Sequence, residues 1–86
     1  MLHCLENDSL KISVDTHGAE LSSIFNKKTN KEMLWQGDPE FWGRRSPVLF
    51  PVVGKYKNCK TKYQDKEYSL GQHGFARDSE FTLVEK

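Results

Sequence analysis

The sequence predicts an all-β fold of antiparallel strands and hairpins, and three observations carry that reading. Apolar and polar residues alternate with a period of two, as in "SLKISVD", where Leu10, Ile12 and Val14 interleave with Lys11, Ser13 and Asp15. Clusters of Asn, Asp, Lys and Gly punctuate the alternating stretches at hairpin spacing. No run of ten or more residues shows helical periodicity, and there is neither an internal repeat nor a low-complexity segment.

The elements follow in order. "LENDSL" carries an Asn-Asp-Ser turn, so residues 2–6 and 9–15 are expected to pair. "THGAELSSIF" turns at Gly18 and continues as a third strand with Leu21 and Ile24 or Phe25 inward. "NKKTNKE" reads as a hairpin tip from which "MLW" returns. "QGDPEFWGRRSP" has loop chemistry, with one helical turn starting at Asp38-Pro39. "VLFPVVG" is apolar on consecutive residues and predicts a strand buried on both faces, with a bulge or an edge at Pro51. "TKYQDKEYSL" is a further hairpin tipped by Gln-Asp-Lys-Glu. "EFTLVEK" begins a strand with no closing turn, which reads either as an edge strand guarded by Glu85 and Lys86 or as part of a polypeptide that continues.

Size and charge exclude several classes. Residues 1–86 amount to one domain or a fragment of one, with little margin for a core. Thirteen basic against twelve acidic residues leave a net charge of +1, no electrostatic footprint for nucleic acid or an anionic membrane. The longest apolar run, "VLFPVV", is too short to span a bilayer, and "MLHCLENDSL" is no signal peptide. Cys4 and Cys59 have no C-x-x-C partner and read as free thiols, so a cytoplasmic location is expected.

Candidate chemistry concentrates in two stretches. His3, His17, His73, Cys4 and Cys59 lack metal-ligand spacing, and "GRRSPVLFPVVGK" lacks the Ser or Thr of a phosphate-binding loop. The lysines of "KYKNCKTKYQDKEY" read as the solvated face of a hairpin. Trp35, Phe41 and Trp42, beside Arg44 and Arg45, form either a hydrophobic lid or a platform on which a sugar or base stacks. In "LGQHGFARD", Gly71 and Gly74 flank His73, with Gln72 and Arg77 in reach of the same turn. That histidine either exchanges a proton near neutral pH or bonds a carbonyl within its own loop.

Taken together, "HGAELSSI", "EMLWQGDPEFWGRRSPVLFPVVGK", "YSLGQHGFARD" and "EFTLV" resemble the start of the aldose 1-epimerase (galactose mutarotase-like) family, and within it the LacX-type branch. The pair "VLFPVVG" and "QHGFARD" is the specific part of the match. The resemblance implies the N-terminal part of a β-sandwich and an acid–base interconversion of the α and β anomers of an aldose, free or phosphorylated, with no metal or organic cofactor. It implies that His73 is the first of two active-site histidines, near the sugar ring oxygen, with Gln72 and Arg77 lining that pocket. One of Arg44, Arg45 and Lys55 would be a further contact; Lys55 stands where the family often has arginine. The family's second histidine, site aspartate and catalytic glutamate match nothing here. The expectation is therefore a sugar-binding portion inactive alone. The alternative is a small carbohydrate-binding or sheet-pairing module that self-associates through its C-terminal strand edge.

Overall fold

A computed structural model describes residues 1–86. Four strands form one antiparallel sheet in the order β1 (Leu2–Glu6), β2 (Leu10–Asp15), β3 (Glu20–Asn26) and β4 (Lys31–Glu32). A separate hairpin joins β5 (Lys60–Tyr63) to β6 (Lys66–Ser69). Single 3-10 turns at Lys57–Cys59 and Ala76–Asp78 are the only named helical elements, and no helix is long and apolar enough to cross a membrane.

Short polar side chains make the turns. Asn7 Oδ1 accepts the amides of Ser9 and Leu10, both at 2.8 Å, and bends β1 into β2. Asn26 Oδ1 does the same for Lys28 and Thr29 between β3 and β4. Gln64 and Asp65 both take positive φ, the two-residue tip that matches strand twist in the β5–β6 hairpin.

Register follows the alternating pattern. His3 pairs with Val14, and Leu5 with Ile12, which pairs in turn with Ile24, so these residues share one face. Cys4, Ser13 and Ser23 share the other, where Cys4 Sγ lies 3.3 Å from Ser13 Oγ. A bulge between Ser13 and Val14 gives β3 one extra residue, Ser22, whose carbonyl oxygen accepts the Gln36 amide.

The return strand is Lys31–Glu32 and stops short of the expected "MLW". Met33 keeps one backbone bond, to the Ile24 carbonyl at 2.7 Å, and the next partner is the side chain of Glu32. Its carboxylate accepts the Ser23 hydroxyl and the amides of Ile24 and Leu34, taking the place of a backbone ladder. The expected helical turn is present: Asp38 accepts from Phe41 and Trp42 at 3.0 and 2.9 Å and caps Glu40 through its side chain.

Two expected strands are absent. "VLFPVVG" forms a single bridge, Phe50 to Gly74, and Val48, Leu49, Phe50 and Val53 are exposed. A run apolar on both sides needs cover on both sides, and these residues supply little; the Phe50–Pro51 peptide is cis. "EFTLVEK" makes one bridge, Glu80 to His17, and Phe81 donates to the Thr16 carbonyl. Beyond it the segment leaves the ladder and crosses toward the face of His3 and Val14, with which Leu83 lines two clefts. Gly18 makes that crossing possible: at φ +75° it lies under the Arg77 carbonyl, which a Cβ would approach to 2.5 Å.

The result is a slab of 53 × 34 × 17 Å. Its radius of gyration is 16.3 Å, against about 12 Å for a compact chain of this length. The accessible surface is 6774 Å², against about 5,200 Å² expected for this mass. Ala76 is the one buried hydrophobic residue.

The Glu32 network makes the β3–β4 corner acid-sensitive. Hydrogen bonds from Ser23 and then from Leu34, Ile24 and Met33 hold its carboxyl below the ordinary 4.5. A depressed folded pKa gives stability that is complete above the unfolded value and lost as the pH falls through the folded one. Protection of the Ile24 and Leu34 amides against exchange, taken relative to the intrinsic rate at each pH, is expected to fall below about pH 4.5. Glu32→Gln is expected to remove that pH dependence.

Candidate functional site

The two motifs that carry the resemblance meet in space. The amides of Phe75 and Ala76 both donate to the Phe50 carbonyl, at 3.0 and 3.1 Å, and Gly74 forms the parallel bridge with Phe50. Gly74 has φ +75°, and a Cβ there would run into the Phe50 carbonyl and lie 2.8 Å from Pro51 Cδ. Only glycine allows this approach.

His73 is fixed by the next contact along the same pair of segments. Its amide donates to the Gly54 carbonyl at 2.7 Å, and the Gly54 amide donates to His73 Nδ1 at 2.8 Å. The residue itself adopts φ +61°, a conformation histidine tolerates better than most. The reading of the turn from Gly71 and Gly74 thus missed that His73 is itself left-handed; only Gly74 of the two glycines has positive φ. Because Nδ1 accepts, the neutral ring carries its proton on Nε2 and has an N–H left for a ligand.

His73, Gln72 and Arg77 line one cleft of about 360 Å³ with Trp42, Pro47 and Leu49. Four other surface clefts are smaller, from 150 to 290 Å³. Arg77 lies in the Ala76–Asp78 turn with its side chain 19% exposed, and its buried Nε makes no hydrogen bond. Asp78, which the sequence reading passed over, accepts from Arg44 Nη2 at 2.9 Å and lies 4.0 Å from Arg77 Nε. The Arg44 hydrogen bond, with the charges of Arg44, Arg77 and His17, holds the Asp78 carboxyl below its usual range.

The remaining candidates lie elsewhere. Arg44 pairs with Asp78 and does not line the cleft. Arg45 points to the sheet's polar face, in a cleft of about 230 Å³ with Ser13, Ser22, Ser23 and Gln36. Lys55 is exposed and lines no cleft. No three His, Cys, Asp or Glu side chains come together as metal ligands. The sequence carried no signal for Gly54 as the partner of His73, since the contact spans 19 residues.

Chemically, the cleft offers a neutral N–H donor, a guanidinium, a carboxamide that both donates and accepts, and apolar walls. That set suits a small polyhydroxylated molecule. The aldose 1-epimerase family model matches residues 1–86. The LacX protein of Lactococcus lactis (chromosomal form) is 42% identical, the match covering 94% of this chain and 28% of that protein. A galactose mutarotase related enzyme from Lactobacillus acidophilus superposes with a TM-score of 0.94 at 45% identity, over 100% of this chain and 29% of that one. A galactose mutarotase-like protein from Lactobacillus casei gives 0.94 at 41%, with the same two coverages. The chain therefore spans under a third of the length of the relatives it matches.

The imidazole geometry is testable by itself. Long-range ¹H–¹⁵N correlations at neutral pH are expected to show His73 protonated at Nε2 and bare at Nδ1; the opposite tautomer would contradict the Gly54 bond. His73→Asn, which tolerates positive φ and can accept from Gly54, is expected to disturb the turn less than His73→Ala, by about 1 kcal/mol.

Proposed function

The chain belongs to the aldose 1-epimerase family, and on that premise we propose that its largest cleft binds an aldose with the ring oxygen at His73 Nε2–H. The observation that carries this reading is the Gly54 amide on His73 Nδ1, which commits the other ring nitrogen to donating. Gln72 and Arg77 then take hydroxyl groups on either side. Neither Arg44 nor Lys55 lines the cleft and Asp78 neutralises much of the local positive charge, which favours a free aldose over a phosphorylated one. Both cysteines are free thiols, in keeping with a reducing cytoplasm.

Anomer exchange needs more than binding. A base must take the anomeric hydroxyl proton while a donor stabilises the ring oxygen as the ring opens. The lining residues include no carboxylate, and the adjacent one, Asp78, is held by Arg44. These 86 residues therefore supply the positioning side of the site, and the proton acceptor comes from outside them.

Polarimetry on freshly dissolved α-glucose or α-galactose checks this directly. The expected rate with the 86-residue chain is that of buffer, while sugar-dependent NMR shifts appear at Gln72, His73 and Arg77. A rate well above buffer that vanishes in His73→Ala would show that the chain holds a complete acid–base pair. Absence of any shift up to saturating sugar would refute the binding site.

A further inference from the structure

The cluster of Trp35, Phe41 and Trp42 divides its labour. Trp35 and Phe41 pack edge to face, with centroids 6.3 Å apart and planes at 71°. The Trp35 indole N–H donates to the Trp42 carbonyl at 2.8 Å. The Trp42 amide donates to the Asp38 carbonyl at 2.9 Å, within the turn that Asp38 caps. Trp42 is thus held at both ends of its backbone while its side chain lines the His73 cleft, and the residue remains 51% exposed.

We infer that Trp42 is the stacking platform of the cleft, taking the C–H face of a pyranose, and that Trp35 is the residue that positions it. The inference rests on the sugar-binding reading of the same cleft and adds a specificity-determining residue to it. Its physical ground is a division of contacts. His73, Gln72 and Arg77 present polar groups to the hydroxyls and ring oxygen, whereas a pyranose also carries faces of C–H groups that those residues cannot satisfy. An indole face is apolar, broad and electron-rich, and C–H groups carrying partial positive charge settle on it. Pro47 and Leu49 complete the apolar lining. Phe41 is more exposed, at 73%, but pairs with Trp35 and does not line the cleft.

The test is an NMR titration of the chain with methyl β-galactopyranoside, a ring that cannot open, in wild type, Trp42→Ala, Trp42→Phe and Trp35→Phe. In wild type the Trp42 indole resonances are expected to move together with the Gln72 and His73 amides, and the sugar C–H protons to shift upfield under the ring. Trp42→Ala is expected to bind roughly three- to tenfold more weakly and to lose the upfield shift. Trp42→Phe retains the shift and most of the affinity, which rules out a folding defect as the cause of the loss. Trp35→Phe keeps the packing on Phe41 but not the N–H bond, and is expected to fall between. Shifts at Gln72 and His73 with a silent Trp42 would overturn the stacking role and leave the binding site standing. Equal affinity in Trp42→Ala would do the same. No shift anywhere in wild type would remove both.

Discussion

The pairing of Phe50–Gly54 with His73–Ala76 is the constraint on which the site depends. Two amides share the Phe50 carbonyl, Gly74 admits that carbonyl where a Cβ would not fit, and Gly54 exchanges two hydrogen bonds with His73. None of these contacts belongs to a strand. They nonetheless fix the orientation of the imidazole more closely than a regular ladder would, because one of the bonds is made to the ring itself. Gln72 and Arg77 inherit their places from the same turn, one residue before the histidine and four after it.

Behind that turn the four-stranded sheet serves mainly as a floor. Gly18 receives the chain beyond the Ala76–Asp78 turn: its amide donates to the Ser79 carbonyl at 2.6 Å, and Thr16 takes the Phe81 amide. The site segment is therefore tied to the β2–β3 connection on one side and to Phe50 on the other. The apolar face that Leu5 shares with Ile12 and Ile24 leaves Leu5 51% exposed, and the slab is only 17 Å thick. Two packed layers are the usual way to bury such a face. The excess surface is the mark of a single layer, and hydrophobic burial within these residues contributes correspondingly little to stability.

What the sequence made legible follows from the range of each interaction. The β1–β2 and β5–β6 hairpins and the Asp38 turn were readable because their determinants lie within a few residues, Asn7 for its own turn and Asp38 for its cap. The expected Gln-Asp-Lys-Glu tip nonetheless shrinks to Gln64-Asp65, with Lys66 and Glu67 paired in β6. "VLFPVVG" and "EFTLVEK" were misread as strands because apolar runs report a demand for burial and not the presence of a partner. Gln72, His73 and Arg77 were legible as a group from one short motif, and the structure gathers them in one cleft. Arg44, Arg45 and Lys55 could not be separated by pattern. Their destinations depend on Asp78, on the sheet's polar face and on solvent, all remote in sequence.

The same Gly54 contact sets what His73 can do chemically. For Nε2 to accept a proton, the ring's own proton would have to sit on Nδ1, facing the Gly54 amide at 2.8 Å, two donors opposed. For the ring to act as a full acid, it would first have to become an imidazolium with the same opposition. In the proposed function, His73 is a donor of fixed orientation, suited to stabilise charge growing on a ring oxygen without net proton transfer. The base must then be a group with its lone pairs free. Asp78 does not qualify, because two arginines favour its ionised form and Arg44 already occupies an oxygen. Within the proposed function, a base with free lone pairs beside the cleft is the element that turns a positioned sugar into a reacting one.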